Sequence, residues 1–340
     1  MRSDPVTSRR RIPLALALAL SLPGAAVAAE AQAPAFQPPP LYAAPLPTAD
    51  DPAARRFAYG VRMLGDVTYA SIPGYRPLKL DLYLPARPRA GGVPLVIWVH
   101  GGGWEIGNPR ADWTYGDWTA VLARLAARGY AVAGVSYRLS AEAGFPAQLD
   151  DVYAALRFLR ANAARWGIDP ARVYLWGLSA GGHLVALAGT QGATLAGDLH
   201  VQGVVVWFGP GDLTLYPSSG ENIRRLLRCP ASGCERAALA AASAITYVSA
   251  RSPPMLVMQG DADTLVPAEQ GRALYERLRA AGVPARLELL PGLGHGFTGA
   301  SPERQQELLE EAFRYFDGLA GVTPACGTRS GRPRPAPACR

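Results

Sequence analysis

Four short stretches of the chain hold residue types that can do chemistry together. Trp176-Gly177-Leu178-Ser179-Ala180-Gly181-Gly182 sets a serine between glycines two residues to either side. A short apolar run ending at Trp176 precedes it, and a run of small apolar residues from Ala180 to Gly189 follows. That pattern predicts a buried strand, a tight turn and a helix, with Ser179 on the turn. Gly177 and Gly181 leave room beside a nucleophile, and the helix start points its free amides at whatever Ser179 attacks. His295 lies in Gly292-Leu293-Gly294-His295-Gly296-Phe297, an uncrowded loop. A neutral imidazole there can take the serine proton and return it to a leaving group. Gly260-Asp261-Ala262-Asp263 offers a carboxylate to orient that imidazole. Asp263, further into the loop, is the choice by placement. Asp261, next to the strand, is expected to bond backbone amides and shape the turn. In His100-Gly101-Gly102-Gly103-Trp104, three glycines let backbone N–H groups converge on one negative oxygen. Gly102 and Gly103, with the amide of Ala180, are the expected donors. Such a set supports attack of a serine on a carbonyl carbon through a tetrahedral oxyanion. His100, His183 and His200 have no comparable company and read as structural.

The elements that must position these residues follow from hydrophobic patterning. Eight strands are predicted, near 67–70, 78–84, 94–99, 130–136, 173–176, 204–208, 255–259 and 287–290. Helices are predicted near 117–128, 147–166, 180–189, 267–281 and 303–319. The alternating run 78–84 suits an outer antiparallel strand, whereas the continuous apolar runs suit central parallel ones. Strand and helix alternate, so the fold class is α/β, a mostly parallel eight-stranded sheet with helices on both faces. In such a sheet, sites gather at the carboxyl ends of strands, where all four motifs fall. Residues 213–250 break the rhythm and read as a small insertion near the site, carrying substrate contacts. Trp104, Trp207, Phe208 and Phe297 sit beside motif ends, as an apolar substrate pocket or as core. Arg138 is expected to pair with Asp150 or Asp151.

Composition bounds the rest. A chain of 340 residues, 49% hydrophobic and 18% charged, can bury one large core and is globular rather than disordered. Four Arg against one Asp in 1–28, and four Arg with no acid in 321–340, account for the formal charge of +7. The body between them is neutral, which argues against a nucleic-acid footprint. Residues 1–28 read as a signal peptide, with Arg9 to Arg11, an apolar segment from Leu14 to Leu22, and Ala26-Val27-Ala28 for cleavage. That segment is too short for a stable membrane span, so an exported chain, periplasmic or secreted, is expected. Residues 29–60 read as a Pro/Ala-rich linker or strap, 61–320 as the folded catalytic body, and 321–340 as a disordered basic tail. Four cysteines in an exported chain suggest disulfides, and proximity favours Cys229–Cys234 and Cys326–Cys339 over free thiols. No histidine lies near either pair, so no metal site is expected.

The order of glycine-rich loop, Ser, Asp and His, each at a strand end, resembles the α/β-hydrolases. The resemblance is to their esterase and lipase branch, which includes hormone-sensitive-lipase-like esterases, and within it to bacterial exported feruloyl and acetyl-xylan esterases. Ser136-Tyr137-Arg138-Leu139 and Phe145-Pro146-Ala147-Gln148 carry it as well, over about Asp66 to Leu319. It implies a triad of Ser179, Asp263 and His295, an oxyanion hole at Gly102, Gly103 and Ala180, and no cofactor. The implied substrate is a short acyl ester, small or linked to polysaccharide. Two features depart from the family pattern. One is the Cys-bearing tail. The other is the small size of 213–250 as a lid, which argues against long-chain lipase action. A serine peptidase, an aryl formamidase or a non-catalytic binding protein on the same fold are the alternatives.

Overall fold

The computed structural model describes residues 54–323, apart from 88, 112–114, 196, 198, 218 and 219. The expected signal peptide, residues 29–53 of the expected linker, the tail from 324 onward and the Cys326–Cys339 pair lie outside the described residues.

The strands are β1 (Arg55–Arg56), β2 (Arg62–Ala70), β3 (Leu78–Leu84), β4 (Val93–Val99), β5 (Ala131–Val135), β6 (Ile168–Leu178), β7 (Gly203–Trp207), β8 (Met255–Gly260) and β9 (Ala285–Leu290). They form one sheet in the order β1-β2-β3-β5-β4-β6-β7-β8-β9. The pairings β1–β2, β2–β3 and β3–β5 are antiparallel, and all those from β5 to β9 are parallel. Among the described residues the sheet has one strand more than the eight expected. β1 is a two-residue edge inside the stretch read as linker, too short for any hydrophobic period to mark it.

The helices are α1 (Trp118–Ala127), α2 (Ala147–Ala161), α3 (Ala180–Gly192), α4 (Glu221–Leu227), α5 (Arg236–Ala241), α6 (Ala268–Ala280) and α7 (Pro302–Ala320). α2 is shorter than its apolar stripe suggested. The chain leaves it at Asn162, and a separate turn over Ala163–Trp166 ends at Gly167 with φ of +64°. Side-chain alternation along β4 explains why both faces are covered. Leu95, Ile97 and Val99 join one core with Leu156 of α2 and Leu184 of α3. Val96 and Trp98 join the other with Trp118 of α1 and Phe313 of α7. Each such side chain stabilises the fold by about 1.5–3 kcal/mol on full burial.

β5 is tied to α2 by a buried ion pair. Arg138 donates to Asp151, not to Asp150, with Nη2 to Oδ1 at 2.7 Å and the Arg138 amide to Oδ2 at 2.8 Å. Burial, against the guanidinium's pull, holds the Asp151 carboxyl above its usual range. Residues 213–250 contain α4 and α5, joined through the Cys229–Cys234 disulfide. Among the described residues, no helix is long and apolar enough to cross a membrane. Strands β4, β6, β7, β8 and β9 run parallel, so their carboxyl ends share one rim, and the residues singled out from the sequence sit there.

Candidate active site

Ser179 follows β6 and precedes α3, in a backbone conformation of φ +52° and ψ −120°. That region is strained for a residue with a Cβ, and strain of this kind costs about 1–3 kcal/mol. The glycines around it are required by close backbone approach. A Cβ on Gly177 would strike the Gly181 carbonyl, and one on Gly181 would strike the Val99 carbonyl. The Ser179 amide donates to Trp207 O at 2.9 Å, which fixes the turn to the end of β7.

Three side chains from three strand ends meet in a hydrogen-bonded row. Ser179 Oγ lies 3.0 Å from His295 Nε2, and His295 Nδ1 donates to Asp263 Oδ2 at 2.8 Å. Asp263 is buried, and its other oxygen accepts from the amides of Leu265 and Val266 at 2.9 and 2.8 Å. Gln259 adds a donor to Oδ2 at 3.1 Å. Three donors thus hold the carboxylate, and the imidazole takes the acceptor position that remains, which fixes the orientation of both groups. Asp261 instead accepts from the Gly292 amide at 2.7 Å and shapes the turn beside β9. The two aspartates of this loop thus have different partners.

The glycine loop after β4 lies over Ser179. Gly102 has φ of +107° and Gly103 of +60°. A Cβ on Gly102 would strike the Ile106 carbonyl, while the Gly102 carbonyl itself accepts from the amides of Glu105 and Ile106. Ala180 is the first residue of α3, so its amide has no carbonyl within the helix. Gly102, Gly103 and Ala180 line the same cavity as Ser179 and His295.

Two buried histidines hold this loop. His100 Nδ1 donates to Gly101 O at 2.7 Å, and its ring stacks on Tyr137 at 4.3 Å. His183 accepts from Trp104 Nε1 at 3.3 Å and donates through Nε2 to Ala242 O at 2.6 Å. Burial pushes both imidazoles down to about 4, so both are neutral at pH 7.

The cavity measures about 660 Å³. Trp104 and Phe208 line it, but Phe297 does not, which corrects the expectation that it forms part of the pocket. Phe297 is fully buried, with its ring 4.7 Å from Phe208 and 5.2 Å from Trp207. Trp207 is likewise a core residue, because its position inside β7 turns it to the α7 face. Sequence reasoning missed Ile106, Leu265 and the insertion residues Tyr216, Asn222 and Ile223, which also line the cavity. Nothing periodic marks them. Gln259 had a signal, as the one amide in the otherwise apolar run of β8.

The BD-FAE family model matches residues 80–278. The chain belongs to the BD-FAE family. Esterase LipC of Mycobacterium tuberculosis (strain ATCC 25618 / H37Rv) is 36% identical over 232 residues, 63% of this chain and 54% of LipC. Esterase LipQ of the same strain is 30% identical over 282 residues, 78% of this chain and 63% of LipQ. The chain spans little more than half to just under two thirds of the length of these curated relatives. Among solved structures, a truncated form of a carbohydrate esterase from gut microbiota superposes with a TM-score of 0.64 at 28% identity. That match covers 76% of this chain and 96% of the other. The α/β-hydrolase fold expected from the motifs is the fold of this BD-FAE chain, and the glycine loop, the serine turn and both aspartates lie within the matched residues.

Proposed function

We propose that this BD-FAE chain is a serine carboxylesterase. Ser179 is the nucleophile, His295 the general base and acid, and Asp263 the residue that fixes and charges the imidazole. As Ser179 Oγ bonds to the ester carbonyl carbon, its proton passes to His295 Nε2. The carbonyl oxygen becomes negative and is held by the amides of Gly102, Gly103 and Ala180. Collapse breaks the bond to the alcohol oxygen, which takes the proton from Nε2 and leaves. Water, deprotonated by the same nitrogen, then releases the acid and regenerates Ser179. The observation that carries this reading is the row from Asp263 through His295 to Ser179, with bonds of 2.8 and 3.0 Å, in a cavity also lined by Gly102 and Gly103.

The substrate we infer is a short acyl ester, with acetyl or feruloyl groups on plant polysaccharide as the natural candidates. The name of the carbohydrate esterase neighbour supports the polysaccharide part. The apolar side chains of Leu178, Phe208, Pro210, Ile223 and Val266 around the cavity support an acyl or aryl group. We also read residues 1–28 as a signal peptide and the body from β1 to α7 as the catalytic part. The disulfide supports export to an oxidising compartment.

An organophosphonate tests the nucleophile. The wild type is expected to be labelled and the Ser179→Ala variant not, and equal labelling of both rejects Ser179. p-Nitrophenyl acetate set against a matched anilide then separates an esterase from an amidase or peptidase. A series of acyl lengths with feruloylated sugars reads out the substrate.

A further inference from the structure

The end of β7 reaches both partners of the proton transfer. The Trp207 carbonyl accepts from the Ser179 amide at 2.9 Å. The next side chain, Phe208, lies against the His295 imidazole, with ring centroids 4.9 Å apart and planes at 71°. Phe208 takes a φ of +36° to put its ring there, a value disfavoured for any residue with a Cβ. Its amide donates to Met258 O at 2.8 Å, which anchors the strained residue to β8. Phe297 packs on Phe208 at 4.7 Å and 88°, with a φ of its own of +57°. Behind them Trp207 meets Phe297 at 5.2 Å and Trp176 at 5.0 Å. Strained backbone at two aromatic residues in contact persists only where the surroundings over-determine it, and such places cluster at functional sites.

The two hydrogen bonds of His295 hold its ring at Nδ1 and Nε2. They resist tilt about the line joining those atoms only weakly, because hydrogen bonds tolerate a broad range of approach. A ring packed against the imidazole is what stops that tilt. We propose that Phe208 is a positioning residue, whose ring, backed by Phe297, fixes the plane of His295 so that Nε2 stays aimed at Ser179 Oγ. This role rests on the reading of Ser179 and His295 as nucleophile and base. Phe208 also lines the cavity, so its loss can alter substrate binding. Phe297 does not line it, so it reports on positioning alone.

The test compares Phe208→Leu, Phe208→Tyr and Phe297→Leu with the wild type. It measures kcat and KM on p-nitrophenyl acetate, the thermal unfolding midpoint, and the low-field NMR signal of the His295 Nδ1 proton. A small misplacement of a reacting group costs up to about a hundredfold, so Phe208→Leu is expected to lose about tenfold to a hundredfold in kcat. Phe208→Tyr keeps the ring and is expected to restore most of that loss. Phe297→Leu is expected to lower kcat by about threefold to tenfold with KM unchanged. The low-field proton is expected sharp in the wild type and in Phe208→Tyr, and broadened by exchange in Phe208→Leu. A folded Phe208→Leu with wild-type kcat and a sharp proton overturns the positioning role. So does a loss that vanishes once kcat is corrected for the folded fraction. A wild type that leaves esters intact, yet whose proton still depends on the Phe208 ring, overturns the esterase reading and leaves the positioning role standing.

Discussion

The two walls of the cavity are built from different materials. The wall formed by the ends of β7, β8 and β9 buries the carboxylate and the ring that flank the imidazole, although Leu265 at its edge is exposed. Asp263 is 5% exposed and Phe208 2%, with Phe297 fully buried behind it, and every bond to Asp263 comes from a backbone amide, a buried amide side chain or His295. The wall formed by the glycine loop and α4 is held near solvent. There Arg225, 55% exposed, donates to Glu105 at 3.1 Å and to Glu221. The same short helix brings Asn222 beside Gly103, where a Cβ would lie 2.8 Å from its Nδ2. Chemistry needs a fixed geometry, and burial with strain supplies it on the first wall. Substrate choice tolerates adjustment, and the second wall uses exposed ion pairs and an insertion with a disulfide.

The largest contrast is expected at the carboxylate. Asp263→Asn retains an oxygen for the Leu265 and Val266 amides but loses the charge that sets the tautomer and balances the imidazolium. By analogy with the serine-protease triad, kcat is expected to fall by about 10⁴-fold while the unfolding midpoint changes little. Steady-state kinetics and thermal unfolding of the purified variant check both. A loss of tenfold or less would mean that the buried wall is structural and that the proton is managed elsewhere.

Acid should act on the other wall first. His100 and His183 both support the glycine loop, and burial holds both imidazoles down at about 4 from an ordinary 6.5. The unfolded chain binds a proton at each below about pH 6.5 and the folded chain does not, so acidification favours unfolding. Their contribution is whole above pH 6.5 and is lost as pH falls from there towards 4. Each histidine costs up to about 1.4 kcal/mol per pH unit across that window. Denaturant midpoints at pH 7.5, 6.5, 5.5 and 4.5 measure the slope. Replacing His183 by Gln is expected to make it shallower.

The same division decides what could be read from the chain alone. Ser179, His295 and Asp263 were legible because a tight turn, a shared rim and a close backbone approach demand glycines at fixed spacing. Gly177, Gly181 and Gly102 each face a backbone atom that a Cβ would strike. The parallel strands were legible from their continuous apolar runs. Phe297 could be read as pocket or as core because an aromatic residue beside a motif looks the same whether it faces the cavity or the core behind it. Its full burial behind Phe208 decides between them. The insertion wall was illegible for a different reason. α4 and α5 are seven and six residues long, too short for a helical stripe, and the contact of α4 with Glu105 beside the glycine loop joins positions more than a hundred residues apart.

The smallest expected effect lies at Arg225, and it sharpens the comparison most. Its guanidinium joins Glu105, two residues past Gly103, to Glu221 on α4. The geometry suggests a clamp on the glycine loop, but the magnitude argues otherwise. Exposed ion pairs contribute about 0–1 kcal/mol, because water screens them and both side chains lose entropy on pairing. The loop is already held by the turn onto Gly102 O, by His100 and by the Trp104–His183 bond. Arg225→Ala is therefore expected to lower kcat by less than about threefold and stability by less than about 1 kcal/mol. Its effect on KM should differ between substrates, since Glu105 and Glu221 line the cavity and lose their shared counter-charge. Kinetics on a neutral and an anionic ester at low and high salt read this out, with the anionic ester penalised more at low salt. A uniform loss of a hundredfold on both esters would show that the exposed wall is as rigid a part of the machinery as the buried one.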